Sequence, residues 1–157
     1  MKTLLLFRHG KSRWDEPVAD KKRPLSKIGI KRTIKVATYL EQHFDFTNFE
    51  LHSSYAKRAS ETAKLVTEIC KTTCTTSKEL YTFSVDELES WIRKQYPPNN
   101  LIIFGHNPAF TDFINQFSDA ELDNLPTSGV ARIDFEIDQW QDMKKGKLTM
   151  LLKPKDL

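Results

Sequence analysis

The sequence predicts an α/β fold, a three-layer sandwich in which a mostly parallel central sheet carries helices on both faces. Two observations indicate this fold. Segments with strand character alternate with amphipathic helical segments along most of the chain, which is typical of strands joined by right-handed crossovers. In addition, residues 4–7 form a continuous apolar run, as expected for a strand that is buried on both faces. One or two antiparallel strands are expected near the C-terminus.

The first predicted elements are a strand over residues 2–7 and a helix over residues 24–44, separated by a polar loop. Ser26 is a candidate N-cap of this helix, because a serine hydroxyl can accept from the free amides of a first helical turn. The apolar stripe that should face the sheet follows helical spacing and consists of Ile30, Ile34, Ala37 and Leu40.

A second strand is predicted at residues 49–52, and a second helix follows it directly with Ser53 or Ser54 as its N-cap. The side chains expected on the buried face of this helix are those of Ala59, Ala63, Val66 and Ile69. A third strand is predicted around residues 74–81.

The third predicted helix begins at Ser84, which forms a capping box with Glu87. Pro97 and Pro98 end this helix, because proline lacks the amide that a helix interior requires.

The clearest later strand covers residues 101–104. Asn107 is the expected N-cap of the helix that follows, with Pro108 at the first helical position, and the helix runs to about Phe117. Two last strands, "VARIDFEID" and "KLTMLLK", join through a turn that contains Gly146. The first of them alternates apolar and polar residues, its apolar positions being Val130, Ile133, Phe135 and Ile137.

Length and composition favour one water-soluble domain. The chain has 157 residues, of which 39% are hydrophobic and 29% charged, values typical of soluble globular proteins. The apolar run at the N-terminus is too short for a signal peptide or a membrane span. The sequence therefore predicts a single domain over residues 1–157 in the cytoplasm, without contact with a membrane.

Charge and cysteine usage exclude two further classes of function. The formal net charge is only +3, and the basic clusters are scattered, without interleaved aromatic residues, so no nucleic-acid partner is expected. Cys70 and Cys74 lack the second cysteine or histidine pair that a metal site needs. They are expected to be reduced, structural thiols.

Four phosphate-competent side chains follow the predicted strands. Arg8 and His9 come directly after the first strand, Arg58 lies in the first turn after the second, and His106 follows the fourth. Because the carboxyl ends of parallel strands meet at one edge of a sheet, we expect these four side chains to converge there. Neutral imidazole is a good nucleophile toward phosphorus, and guanidinium groups bind phosphate oxygens in a bidentate way.

The motifs around these residues resemble those of a known family. "RHGKSRW" (8–14), "SSYAKRASETA" (53–63) and "GHNP" (105–108) look like the three motifs of the histidine phosphatase superfamily, the phosphoglycerate-mutase-like enzymes. Within it, "RPLSKIG" (23–29), "ELY" (79–81) and "PTSG" (126–129) look most like the SixA-type phosphohistidine phosphatase branch. The resemblance covers nearly the whole chain and implies one domain without a large cap insertion.

The resemblance implies a mechanism without a metal or cofactor. His9 would attack phosphorus and become a covalent phosphohistidine, while Arg8 and Arg58 bind the equatorial oxygens. A protonated His106 would add a third positive donor, and the nitrogen of His9 that does not attack would donate to a carbonyl or carboxylate. The remaining candidates for substrate binding are Gly10, through its amide, Ser12 and Asn107.

The chain departs from the wider family at two points. Asp15 stands where mutase-type members have asparagine, so it is expected to turn away from phosphate or to bind a basic neighbour such as Arg23. Many phosphomonoesterases of the family also carry a carboxylic acid after the third strand. Here the candidates for that general acid are only Glu79 and Asp86, each of which also fits an ordinary surface position.

Weak acid catalysis favours a phosphohistidine substrate, because imidazole leaves an activated P–N bond more readily than an alkoxide leaves phosphorus. The leading hypothesis is therefore a phosphatase for phosphohistidine on a protein, such as a histidine-containing phosphotransfer domain. The alternatives are a phosphatase for a small phosphorylated substrate, such as a sugar phosphate, and a protein that binds a phosphorylated partner without turnover.

Overall fold

The computed structural model describes residues 1–96 and 99–157, and these residues form six strands and four helices. In chain order the elements are β1 (Lys2–Arg8), α1 (Lys27–His43), β2 (Phe49–Ser54), α2 (Lys57–Cys70), β3 (Thr75–Ser77), α3 (Val85–Arg93), β4 (Asn100–Gly105), α4 (Ala109–Phe117), β5 (Val130–Phe135) and β6 (Lys147–Leu152). Pro97 and Pro98, predicted to end the third helix, lie outside the described residues.

The strands form one sheet in the order β3-β2-β4-β1-β5-β6. Strands β1 to β4 pair in parallel, whereas β5 pairs antiparallel with both β1 and β6. This arrangement confirms the predicted fold class, including the antiparallel strands near the C-terminus. Arg8 is in register with Gly105, so the residues that follow β1 and β4 emerge side by side.

The continuous apolar run of β1 serves two separate cores. Leu4 and Leu6 are fully buried in a cluster with side chains from α3 and α4. Leu5 and Phe7 are fully buried in a second cluster with side chains from α1 and α2. Because successive side chains of a strand point to opposite faces, a sheet covered on both sides requires an apolar residue at every position.

The predicted buried stripe of α1 is wrong in its first half. Ile30 and Ile34 are exposed, while Ala37 and Leu40 are buried as predicted. The buried positions that replace the two isoleucines are Gly29, Thr33 and Val36. The helix is rotated about its axis relative to the predicted orientation, because Gly29 packs against the backbone of Lys11 in the loop after β1. A Cβ at this position would lie 2.2 Å from the Lys11 carbonyl oxygen, so a larger residue does not fit. Its predicted cap is confirmed, since the Ser26 hydroxyl accepts from the Gly29 amide at 3.1 Å.

The predicted N-cap of α2 is wrong. Ser53 and Ser54 are buried inside β2, where they pair with β3, and the helix begins after Ala56 without a side-chain cap. The third strand is shorter than predicted, because Lys78–Leu80 turn into a 3-10 helix. Sheet pairing thus extends β2 by two residues at the expense of the helix.

The capping box of α3 forms only in part. The Ser84 hydroxyl accepts from the Glu87 amide at 3.3 Å, as predicted. The Glu87 carboxylate, however, accepts from the Thr82 hydroxyl at 2.9 Å, and Thr82 in turn accepts from the Ser84 amide at 3.1 Å. The hydroxyl of the buried Thr82 therefore bridges the Glu87 carboxylate and the Ser84 amide, which do not bind each other directly.

The start of α4 is shifted by one residue from the prediction. Pro108 is the N-cap, and Asn107 precedes it, yet the Asn107 side chain still accepts from the Thr111 amide at 3.0 Å. The helix ends at Phe117, as predicted.

Both cysteines are free, in agreement with the prediction of reduced thiols. Burial raises the pKa of Cys70 to about 11 and that of Cys74 to about 12, which leaves both thiols protonated and unreactive at neutral pH. Across the described residues, no helix combines the length and the apolar character that a bilayer crossing requires.

Candidate active site

The two histidines of the predicted constellation lie side by side at the carboxyl edge of the sheet. The His9 amide donates to the Gly105 carbonyl at 3.1 Å, which ties the residue after β1 to the end of β4. The ring centroids of His9 and His106 are 5.2 Å apart, and the two residues are only 8% and 1% exposed. Arg58, in the first turn of α2, reaches the same place and donates through Nε to His9 Nε2 at 3.3 Å.

The hydrogen bonds of His9 define its tautomer. Its Nδ1 lies 2.7 Å from the Gly10 carbonyl oxygen, which can only accept, so Nδ1 carries the proton. Nε2 accepts from Arg58 and therefore holds the lone pair. The predicted carbonyl partner of His9 is therefore the carbonyl of the next residue, Gly10. The nitrogen with a lone pair that could attack phosphorus is Nε2.

Burial keeps both histidines uncharged. It is the main cause that lowers the pKa of His9 to about 4, and the charge of Arg58 acts in the same direction while the Gly10 carbonyl opposes it. Burial also lowers the pKa of His106 to about 2, with the neighbouring His9 and Arg58 as further causes. At neutral pH both rings are neutral, which is the form of imidazole that attacks phosphorus.

His106 is held by one strand-end hydroxyl. Its Nε2 lies 2.8 Å from Ser54 Oγ. Ser54 Oγ already accepts from the Ala56 amide at 3.2 Å, so its own hydrogen is available for His106. The other ring nitrogen, Nδ1, is buried without a hydrogen-bond partner among the described residues.

Two arginines also present buried nitrogens without partners. Arg8 donates through Nη1 to the Leu125 carbonyl at 2.8 Å, but its Nε has no partner among the described residues. Arg23 likewise has Nε and Nη1 unpartnered within the described chain, and its guanidinium stacks 3.5 Å from the ring centroid of Trp14. Buried polar atoms are normally hydrogen-bonded, so these nitrogens fit an anion with several acceptor oxygens.

A carboxylate that the sequence did not indicate joins this cluster. Asp20 accepts from Arg58 Nη2 at 3.0 Å, from Arg23 Nη2 at 2.8 Å and from the Tyr81 hydroxyl. Its backbone carbonyl accepts a further bond from Arg58 at 2.8 Å. Burial by itself would raise the pKa of Asp20, but the bonds from Tyr81 and Arg58 hold the pKa below its ordinary value. Asp20 is therefore ionised at neutral pH.

Gly10 and Ser12 bind protein groups in this structure. The Gly10 amide donates to Thr62 Oγ1 at 3.0 Å, and a Cβ at this position would lie 2.8 Å from Thr33 Oγ1. The buried Ser12 forms an isolated antiparallel bridge with Leu25. The contacts of Gly10 hold the loop after β1 against α1 and α2, and the roles of Gly10 and Ser12 in substrate binding remain predictions.

Asn107 is likewise engaged within the protein. Its side-chain nitrogen donates to Asn124 Oδ1 at 3.0 Å and to the Leu125 carbonyl at 3.1 Å, and its oxygen accepts from Thr111. The same Leu125 carbonyl accepts from Arg8. Asn107 therefore positions the segment that binds Arg8, and its contact with a substrate remains a prediction.

The other predicted carboxylates lie at the surface. Asp15 turns to solvent as expected, but its partner is Arg13 at 2.9 Å and not Arg23, which pairs with Asp20. Glu79 is exposed in the 3-10 turn after β3, and Asp86 is exposed in the first turn of α3. In the part of the chain that the structure describes, neither the Glu79 nor the Asp86 side chain forms a hydrogen bond or ion pair with a residue of the site.

The residues missed by sequence reasoning share one property, which is that they lie in loops. Asp20 and Arg23 belong to the polar stretch between β1 and α1, and Tyr81 to the stretch between β3 and α3. Such stretches carry no periodic pattern that predicts which side chain points inward. The available signals were the motifs "RPLSKIG", which contains Arg23, and "ELY", which contains Tyr81.

Fold and site together define an α/β protein in which buried arginines lie beside a neutral histidine at the carboxyl edge of the sheet. The chain belongs to the histidine phosphatase superfamily, since the family described as "Histidine phosphatase superfamily (branch 1)" matches residues 4–100, more than half of its length. This membership supports phosphatase activity. A sequence comparison with curated proteins finds no match.

Solved structures show the same fold at low sequence identity. The SixA protein of Agrobacterium tumefaciens superposes with a TM-score of 0.82 at 21% identity over 98% of both chains. The protein histidine phosphatase SixA in complex with tungstate gives 0.80 at 17% identity, again over 98% of both chains. Phosphoserine phosphatase of Entamoeba histolytica, in complex with 3-phosphoglyceric acid, gives 0.65 at 16% identity over 96% of both chains.

Proposed function

We propose that this protein is a phosphatase in which His9 forms a covalent phosphohistidine, and that its substrate is phosphohistidine on another protein, such as a histidine-containing phosphotransfer domain. One observation carries the proposal. In the cluster of residues near His9, four buried nitrogens have no protein partner among the described residues. They are Arg8 Nε, Arg23 Nε, Arg23 Nη1 and His106 Nδ1.

In the first step His9 Nε2 attacks phosphorus, and the bond between phosphorus and the substrate nitrogen breaks. The electron pair of that bond goes to the departing imidazole, which takes up a proton from water. Arg8, Arg23 and Arg58 bind the phosphoryl oxygens, where charge is spread in the transition state, so catalysis rests on positioning and electrostatics.

In the second step water attacks the phosphorus bound to His9 Nε2. The P–N bond breaks, inorganic phosphate leaves, and the lone pair returns to Nε2. Throughout both steps the bond from Nδ1 to the Gly10 carbonyl holds the ring in one orientation. The chain thus needs no second nucleophile.

His106 changes charge with the substrate. In the free protein burial keeps it neutral, whereas a phosphoryl dianion at the site raises the pKa of a neighbouring imidazole. A protonated His106 donates through Nδ1, the nitrogen that has no partner among the described residues. It would then stabilise the charge on the transferred group.

The acid chemistry of the site favours a P–N bond over a phosphate ester. Asp20 is the carboxylate that touches Arg58, and its lowered pKa leaves it without a proton to donate at neutral pH. Glu79 and Asp86, the candidates for a general acid, are exposed. An alkoxide needs protonation as it leaves, whereas imidazole needs much less help.

The access to the site suits a side chain presented by another protein. The Asp20 side chain is 44% exposed although it contacts the almost fully buried Arg58. Only the Asp20 side chain therefore separates Arg58 from solvent at this point. A phosphohistidine on the surface of another protein can approach the site from the same side.

The test compares two peptides that differ only at the phosphorylated residue, which is phosphohistidine in one and phosphoserine in the other. We expect a kcat/KM at least about 100-fold higher for phosphohistidine, in line with the size of acid–base effects. His9→Ala should abolish turnover of both, because it removes the nucleophile. His43→Ala is the matched control, since His43 is an exposed histidine at the end of α1.

A preference for phosphoserine would contradict the proposed substrate and indicate a phosphomonoesterase. Turnover at the wild-type rate in His9→Ala would contradict the proposed nucleophile. Binding of the phosphohistidine peptide without release of phosphate would show a binding protein in place of an enzyme.

A further inference from the structure

Three aromatic side chains form a continuous rim beside the site: Tyr55, Tyr81 and Phe83. Tyr81 contacts Tyr55 and Phe83 edge to face, with ring centroids 5.7 and 5.6 Å apart. Phe83 is 46% exposed and Tyr55 is exposed as well. Large aromatic side chains at the surface are candidates for contact with a ligand, because burying their rings is favourable.

This aromatic rim touches a histidine of the site directly. The rings of Tyr81 and Phe83 lie 5.4 and 5.3 Å from the ring of the buried His106, both in edge-to-face geometry. His106 in turn lies 5.2 Å from His9. The rim therefore extends from solvent to a ring that lies beside His9, the proposed nucleophile.

The exposed position of Phe83 is built into the fold. The residue before it, Thr82, is buried and donates to the Glu87 carboxylate at 2.9 Å. The residue after it, Ser84, is tied to Thr82 through its amide and caps α3. With both neighbours fastened, Phe83 is held at the surface before any ligand arrives, which lowers the entropic cost of a contact.

We infer that Tyr81 and Phe83 are specificity-determining residues that contact the leaving group and favour one that is a planar ring. The inference rests on the proposed function, for which the ring is the imidazole of phosphohistidine. In-line attack by His9 places the leaving group on the far side of the phosphorus. There an imidazole can pack against the aromatic rim, whereas an aliphatic amine offers no ring face or edge.

The experiment uses two P–N substrates, a phosphohistidine peptide and a phospholysine peptide, which differ only at the phosphorylated residue. The leaving group is a planar imidazole in the first and an aliphatic amine in the second. We expect Phe83→Leu to lower the ratio of their kcat/KM values about three- to tenfold, the size of a lost aromatic pair. Phe83→Trp, which keeps a ring, should retain most of the ratio. Tyr96→Leu is the matched control, because Tyr96 is 85% exposed and lies outside the rim.

An unchanged ratio in Phe83→Leu would overturn the inference, and so would an equal loss of kcat/KM on both peptides. The proposed function fails separately, if the wild-type protein hydrolyses neither P–N peptide. A phosphotyrosine peptide distinguishes the two: turnover of that peptide alone, reduced by Phe83→Leu but not by Tyr96→Leu, would retain the ring preference and overturn the P–N substrate.

Discussion

At the scale of single residues, the site combines neutral histidines with charged arginines in one buried place. Burial lowers the pKa values of His9 and His106 and keeps both rings neutral, while the Asp20 carboxylate lies 3.0 Å from the guanidinium of Arg58. The same carboxylate pairs with Arg23 at 2.8 Å. The Asp20 carboxylate thus pairs with the two arginines, Arg23 and Arg58, that we propose bind the phosphoryl group of the substrate.

This contact leads to a prediction for Asp20→Asn. The change keeps the size of the side chain but removes its negative charge, which repels an incoming phosphoryl dianion. We expect the inhibition constant of inorganic phosphate, measured against any turned-over substrate, to fall roughly three- to tenfold. Asp15→Asn is the control, because Asp15 is exposed and paired with Arg13. A higher inhibition constant in Asp20→Asn would show that the carboxylate chiefly positions the arginines.

At the scale of elements, the loop after β1 is shaped by its contact with α1. A Cβ at Gly29 would lie 2.2 Å from the carbonyl oxygen of Lys11 and 2.9 Å from its amide nitrogen. The Ser26 hydroxyl donates to the same carbonyl at 2.8 Å. The first turn of α1 therefore fixes the backbone two residues after His9.

Gly29→Ala tests this contact through the sign of its effect. In an ordinary helix interior the change would stabilise the protein by about 1 kcal/mol. Here the methyl group displaces backbone, and we expect a loss of about 1–3 kcal/mol in the free energy of unfolding, measured with urea, together with a lower kcat/KM. Lys31→Ala, at an exposed position of the same helix, should change neither strongly. Increased stability in Gly29→Ala would refute the packing argument.

At the scale of the whole molecule, two cores lie on opposite faces of the sheet and the site lies at its carboxyl edge. The two buried histidines of the site lower the stability of the protein in acid. His9 and His106 have pKa values of about 4 and about 2 in the folded chain, below the value of about 6.5 expected when unfolded. The unfolded chain therefore binds protons first as the pH falls.

The sign of this linkage gives a prediction for stability. Above pH 6.5 the contribution of the neutral histidines is fully present, and it is lost as the pH falls toward 4 for His9 and toward 2 for His106. Between pH 7 and pH 5 we expect the free energy of unfolding to fall by about 2 kcal/mol for each buried histidine. His106→Gln should remove about half of this pH dependence, measured with urea in the absence of phosphate, while the exposed His43→Gln should not. An equal pH dependence in His106→Gln would contradict the assignment.

The sequence by itself determined the fold class and the meeting of His9, Arg58 and His106 at one edge. Both follow from local patterns, because apolar periodicity marks the strands and parallel strands bring their carboxyl ends together. The contact of His9 with Arg58 at 3.3 Å agrees with that reasoning. Helix caps and strand ends were less accurate, as at Ser54, because sheet pairing competed with the helix for the same residues.

Only the tertiary structure decided what surrounds these residues. Asp20 meets Arg58 across 38 positions of the chain and Tyr81 across 61, and the rings of Tyr81 and Phe83 reach His106 from the loop before α3. Such contacts join loops without periodic patterns, whose conformation depends on distant parts of the fold and not on local propensity. The proposed nucleophile was therefore predictable from a strand end, whereas the groups that we expect to select the substrate became visible only in the tertiary structure.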